Sequence, residues 1–132
     1  MPTFGPTSLK HLALLHPDLQ RLLKEAIQYF DFSIVCSFRG EVEQNKAYAK
    51  GASTKKFPNS KHNRVPSDAV DLVPYRNGLR WEDDKAFYFL AGLLFGLSNK
   101  LNIRLRWGGD WDMDHDFHDN TLLDLPHFEL LN

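Results

Sequence analysis

Three residues of this 132-residue chain have the type and the setting to hold a metal ion. His62 and Asp71 lie in SKHNRVPSDAVDLVPY, residues 60–75, the first in a loop and the second in the apolar run that the loop feeds; His127 lies near the C-terminus in DLPHFEL. Imidazole nitrogens and a carboxylate oxygen suit zinc, and catalytic zinc keeps three protein ligands and leaves a fourth position to water. The set points to a small zinc-dependent hydrolase. Asp124, three residues before His127, stands off the alternation of the C-terminal segment, so it can act beside such a site rather than in it.

Ser60, His62, Ala69, Asp71, Leu72, Asp124 and His127 fill the pattern S-x-H…A-x-D-L…D-x-x-H, with FRGEVEQNKAYAKGAS upstream of it and RWGGDWD within its last interval. In this order the motifs resemble the zinc peptidases of the D-alanyl-D-alanine carboxypeptidase and L-alanyl-D-glutamate endopeptidase family. The likeness is greatest to the compact branch found as phage endolysins, and it extends over roughly residues 16–130. It implies one zinc ion on His62, Asp71 and His127, with Asp124 as general base. It also implies that Arg39, at a strand end, and Gln44, one or two turns later, face the active site; a fixed guanidinium there could stabilise an oxyanion or anchor a substrate carboxylate. The implied substrate is peptidoglycan, cut in its stem peptides between L-alanine and D-glutamate. Release of D-alanine is the alternative. So is a zinc-containing wall-binding module without catalysis, although such a module has no need of Asp124 and Arg39 beside the three ligands. The family departs here in one respect: eight residues, 63–70, separate His62 from Asp71, longer than its commonest spacing, with Pro66 and Ser67 as the added pair. The longer loop brings in Asp68 as a rival ligand, but Asp71 sits in the strand-like run.

Composition bounds the elements that must position these residues. The length suits one domain, residues 1–132, with no separate wall-binding domain, and a monomer is expected. A formal net charge of -1 provides no basic footprint for nucleic acid, which also weakens a magnesium-dependent nuclease reading. Cys36, the only cysteine, follows Ile34 and Val35 and reads as a buried, inert thiol. The N-terminal stretch shows no secretion signal. Synthesis in the host cytoplasm, and access to the wall after another protein permeabilises the membrane, follow from the resemblance.

Pro17 and Asp18 open a helix whose Leu19, Leu22, Leu23, Ala26, Ile27 and Phe30 recur at helical spacing. His11 and His16 stand outside the metal motif and read as surface or capping residues. Residues 32–37 read as a strand, 41–50 as a helix closed by Gly51, and 69–73 as a strand whose one face carries Ala69, Asp71 and Val73. On an extended segment Ser60 and His62 would share a face, so the Ser60 hydroxyl could bind substrate or orient a ligand. A long helix to about residue 102 has the core FYFLAGLLFGL, apolar all round and expected to be buried, with Gly92 and Gly96 permitting close approach. Eleven apolar residues are too few to span a bilayer, which needs about 20. IRLRW reads as a half-buried strand, and HFEL as a strand directing His127 and Glu129 to one face, with Glu129 the rival base. Between them, DWDMDHDFHDN crowds Asp110, Asp112, Asp114, Asp116 and Asp119 together, which suggests a second cation such as calcium on Asp110, Asp112 and Asp114. An EF-hand loop does not fit, since His115 stands where glycine is needed and Thr121 where glutamate belongs. Trp107 or Trp111 would pack beneath this loop or against substrate. The elements imply an α+β fold; the resemblance adds a small, mainly antiparallel sheet with helices packed on it, as in the hedgehog and D,D-peptidase proteins, and zinc in a cleft.

Overall fold

The structure, a computed structural model, describes residues 1–118 and 123–132. In chain order it has helices α1 (Pro6–Leu12) and α2 (Pro17–Ala26), strand β1 (Phe32–Cys36), helix α3 (Glu41–Ala49), strand β2 (Ala69–Pro74), helix α4 (Asp84–Lys100), and strands β3 (Leu105–Trp107) and β4 (His127–Leu130). A short 3-10 turn, Lys61–Asn63, precedes β2. The strands form one antiparallel sheet in the order β1-β2-β4-β3. The α+β class expected from the sequence is therefore the class observed.

Local chemistry accounts for the helices. At the start of α2, Pro17 supplies a preset φ, and the His16 ring caps the helix by accepting from the Asp18 amide at 3.0 Å. The same helix buries Leu19, Leu22, Leu23 and Ala26 along one stripe. Gly51, at φ +79°, follows the end of α3, where an αL residue is needed and glycine adopts it without strain. Helix α4 is capped by Asp83, whose side chain accepts from the Ala86 amide at 3.1 Å.

Helix α4 is not buried all round. Phe87, Leu90, Ala91 and Leu94 face the core, but Phe89 is 59% exposed, and Gly92 and Gly96 lie on the outer face. A Cβ on either glycine would meet nothing within 4 Å, so neither serves close approach. The apolar run hid this because a single packed face does not require a polar opposite one. No helix among the described residues is long and apolar enough to cross a membrane.

The two sheet faces differ in kind. Ile34, Val70, Leu72, Leu105, Trp107, Phe128 and Leu130 join the helices in one core. Alternate positions carry Asp71, His127, Glu129 and Arg106, and the register pairs Asp71 with His127 and Arg106 with Glu129 across neighbouring strands. β1 contains a bulge: Ile34 opposes Leu72 and Cys36 opposes Asp71, leaving Val35 as the extra residue. Strict alternation would have kept Cys36 with Ile34 on the core side. The bulge turns it toward Asp71 instead.

Candidate active site

Asp71 and His127 are direct cross-strand neighbours, so sheet register alone brings them together. His62 comes from the 3-10 turn, whose carbonyl at His62 accepts from the Arg39 amide at 2.8 Å and so ties the turn to the end of β1. Asp124 is set by a turn at the entry to β4. The His127 amide donates to the Asp124 carbonyl at 3.1 Å, the Asp124 amide donates to the Gly108 carbonyl at 2.9 Å, and the Gly108 amide donates to the His127 carbonyl at 2.8 Å. Trp107 anchors the same turn by donating from Nε1 to the Leu125 carbonyl at 2.7 Å.

These supports bring a nitrogen of each histidine to the same oxygen of Asp71. His62 Nε2 and His127 Nδ1 each lie 3.4 Å from Asp71 Oδ1. His62 Nε2 and Asp71 Oδ1 are buried, and neither has a hydrogen-bond partner. Ligand atoms of Asp71, Asp124 and His127 fall within 4.8 Å of one another, as do those of Cys36, His62 and Asp71. Each group could hold a metal ion, and Asp71 is common to both. Two orphaned buried polar atoms and a nitrogen-and-oxygen donor set fit a divalent cation.

In the ion-free protein the charges compensate one another. Burial works against the charged His62 ring, but Asp71 and Cys36 beside it raise its pKa from 6.5 to about 10. His127 is raised likewise, against its burial, by Asp71 and Glu129. Burial opposes ionisation of Asp71, yet the two imidazoles hold its carboxyl well below the usual range. Asp124 is raised, first by burial and then by the negative charge of Asp71. A carboxylate held beside the centre can accept a proton and give it back.

Arg39 reaches the centre, with Nη2 3.6 Å from Asp71 Oδ2 and 3.5 Å from Cys36 Sγ. Gln44 does not face the cleft as expected. It is fully buried, and its amide is saturated: Oε1 accepts from Arg39 at 3.1 Å and from Asn63 at 3.2 Å, while Nε2 donates to Ser53 Oγ at 2.9 Å and to the Lys55 carbonyl at 2.6 Å. It holds Arg39 from below. Nor is Ser60 on an extended segment with His62. Its hydroxyl caps the turn, accepting from the His62 amide at 3.2 Å, although the residue does line the cleft. Asp68 is drawn away to Arg64 at 2.9 Å and joins no metal-binding group among the described residues.

Two residues matter more than their sequence setting suggested. Cys36 is only partly buried and lies 3.8 Å from His62 Nδ1, so it is part of the centre's wall rather than an inert core thiol. Burial would raise its pKa, but His62 brings it down on balance. Glu129 accepts from His127 Nε2 at 2.8 Å and from Arg106 Nη2 at 2.8 Å, and lies 3.3 Å from Lys61 Nζ. Against the effect of burial, His127 and Arg106 bring its pKa to about 2. The bulge and the strand register placed these residues, and neither leaves a mark in local composition.

The centre lies in a cleft of about 590 Å³, walled by Arg39, Lys55 and Trp81 and by Arg106, Trp111 and Leu123. Trp111 packs on the His127 ring at 5.2 Å between centroids, while Trp107 lies beneath in the core. Next to this wall, Asp110, Asp112 and Asp114 bring carboxylate oxygens within 4.8 Å of one another. Asp110 is 3% exposed; its Oδ2 accepts from the His115 amide at 2.9 Å, and its Oδ1 is buried without a partner. His115 lies in the left-handed region, φ +63°, at the position where an EF-hand loop would carry glycine. Asp119 and Thr121 lie outside the described residues.

Comparison with known proteins agrees with this geometry. A family described as phage L-alanyl-D-glutamate peptidase matches residues 2–131. The L-alanyl-D-glutamate peptidase of Escherichia phage T5 is 36% identical over 134 residues, covering 97% of each chain. Among solved structures, the L-Ala D-Glu endopeptidase ChiX of Serratia marcescens superposes with a TM-score of 0.79 at 30% identity, covering 97% of this chain and 89% of the other. Matched across nearly its whole length in both sequence and fold, the chain belongs to the phage L-alanyl-D-glutamate peptidase family.

Proposed function

We propose that this peptidase is a single-domain, monomeric zinc endolysin that hydrolyses peptidoglycan stem peptides at the L-alanyl-D-glutamate bond, reaching the wall once another protein has permeabilised the host membrane. One observation carries the reading: His62 Nε2 and His127 Nδ1 both stand 3.4 Å from the same Asp71 oxygen. Donor atoms about 2.05 Å from a tetrahedral zinc ion lie about 3.3 Å apart, so each histidine nitrogen stands from the Asp71 oxygen at the separation expected of a pair of zinc ligands.

When bound, zinc supplies Lewis acidity toward the scissile carbonyl and makes a water acidic enough to deprotonate near neutrality. Asp124, whose carboxylate groups with Asp71 and His127, would take a proton from the attacking water and return it to the leaving amine. Arg39, braced by Gln44, offers its guanidinium either to the oxygen that becomes negative or to the carboxylate of D-glutamate. A second ion, calcium, is proposed at Asp110, Asp112 and Asp114, where the partnerless Asp110 oxygen supports it.

Digesting purified peptidoglycan with zinc-loaded protein and analysing the products by mass spectrometry tests the reading. Stem peptides beginning at D-glutamate are expected, absent after chelation and reduced about 100- to 10,000-fold in rate by Asp124→Asn, which should still bind zinc. Release of D-alanine alone would identify a carboxypeptidase. No metal-dependent product would leave a wall-binding module.

A further inference from the structure

We propose that Glu129 is a positioning residue for the centre: it fixes the proton of His127 on Nε2, so that Nδ1 is the atom presented to the ion, and Arg106 and Lys61 hold Glu129 to that task. The inference rests on the metal-centre reading above.

The register places Glu129 beside His127 and opposite Arg106. β4 carries it on the same face as His127, Arg106 opposes it from β3, and the small Ala69 opposes it from β2. It is 4% exposed. Oε1 meets His127 Nε2 at 2.8 Å, and Oε2 meets Arg106 Nη2 at 2.8 Å and Lys61 Nζ at 3.3 Å. A carboxylate between two permanent cations has no proton to donate, so the proton of the 2.8 Å contact belongs to the imidazole. In the neutral ring, the form that can bind a metal, the remaining lone pair is then on Nδ1, the atom 3.4 Å from Asp71.

His62 is set the opposite way by a different acceptor. Its Nδ1 donates to the Ser37 carbonyl at 2.7 Å, which leaves Nε2 for the centre. The two histidines thus present different nitrogens, one fixed by a neutral carbonyl and the other by a charged carboxylate. The same contacts engage both Glu129 oxygens. A second support closes around His127: the Arg106 guanidinium lies over the Trp111 ring at 5.6 Å, and that ring packs on His127. Partners of this kind commonly account for 10- to 100-fold in metal affinity.

The test uses protein labelled with 15N at histidine and loaded with 113Cd, which couples directly to the nitrogens it binds. Coupling to His127 Nδ1 and His62 Nε2 is expected. Coupling through His127 Nε2 would overturn the assignment while leaving the centre intact, whereas no coupling to either histidine would overturn the metal-centre reading itself. In Glu129→Gln, zinc affinity measured by competition with a chromophoric chelator should fall about 10- to 100-fold, and Glu129→Ala should lose more, because the glutamine oxygen can still accept from Nε2. Zinc bound by both variants as tightly as by the parent would refute the positioning role. If neither variant folds, the coupling pattern of the unmodified protein decides the question.

Discussion

Gly108→Ala should damage catalysis although residue 108 carries no chemistry. A Cβ built there lies 2.1 Å from the Asp124 carbonyl oxygen and 2.9 Å from the Asp124 Cβ. Relief cannot come from a side-chain rotation, because the obstructing atom is backbone held by the hydrogen bonds between Gly108, Asp124 and His127. Nonbonded heavy atoms settle near 3.5 Å, so the two segments must part by about 1.4 Å along that line. Displacing a catalytic group by about 1 Å costs about 100-fold in rate, equivalent to about 2.7 kcal/mol of transition-state stabilisation. Overpacking of this kind also destabilises a fold by about 1–3 kcal/mol, so Tm should fall by several degrees without loss of the folded state. The assay is kcat/KM for stem-peptide hydrolysis at saturating zinc, with a thermal scan alongside. Gly92→Ala is the control: its added Cβ meets nothing, and helix propensity predicts a gain of about 0.5–1 kcal/mol with activity unchanged. A Gly108→Ala protein within threefold of the parent in kcat/KM would refute the argument that close approach of these backbones positions Asp124.

Zinc binding should be strongly pH-dependent, because His62, with its pKa raised to about 10, and His127, also raised, must lose their protons to become ligands. The logarithm of apparent affinity should rise with pH at a slope between 1 and about 2 from pH 6 to 8, read by chelator competition, and a flat profile would contradict the pairing with Asp71. Chelated protein should show the opposite trend in stability: a raised histidine pKa contributes most below its unfolded value of 6.5, and that contribution is lost as pH rises toward 10. For the acidic loop, calcium at 100 times its Kd should add about 2.7 kcal/mol to stability, seen as a higher Tm that Asp110→Asn abolishes. Unchanged Tm and activity across the titration would remove the second cation.

Much of the fold could be read locally. The stripe Leu19, Leu22, Leu23, Ala26 marked α2 because helical period is a property of neighbouring residues, and the alternation around Asp71 marked β2 for the same reason. Where several packings satisfy one local pattern, the sequence was silent. The apolar run of α4 was compatible with burial on every side, and only its packing against α2 and one face of the sheet left Phe89, Gly92 and Gly96 outward. Ser60 and His62 are consistent with a strand or a turn, and the hydrogen bond from the His62 amide to the Ser60 hydroxyl goes with the turn. Gln44 was expected at the cleft because the family resemblance implied it. Spacing does not say whether a side chain lies above or below its neighbour.

The sequence by itself determined the donor chemistry: two histidines and aspartates in extended or turn segments, an arginine at a strand end, and too few basic residues for a polyanion site. Tertiary structure decided which of these converge. Asp71 meets His127 through pairing between strands more than fifty residues apart, and a one-residue slip in that register would send one of them to the opposite face. The bulge at Val35 turned Cys36 toward the centre, and pairing with β3 gave Glu129 its cation. Residue type and period are local, but the direction of a side chain toward a distant partner depends on how strands pair, and that depends on the burial of the whole core.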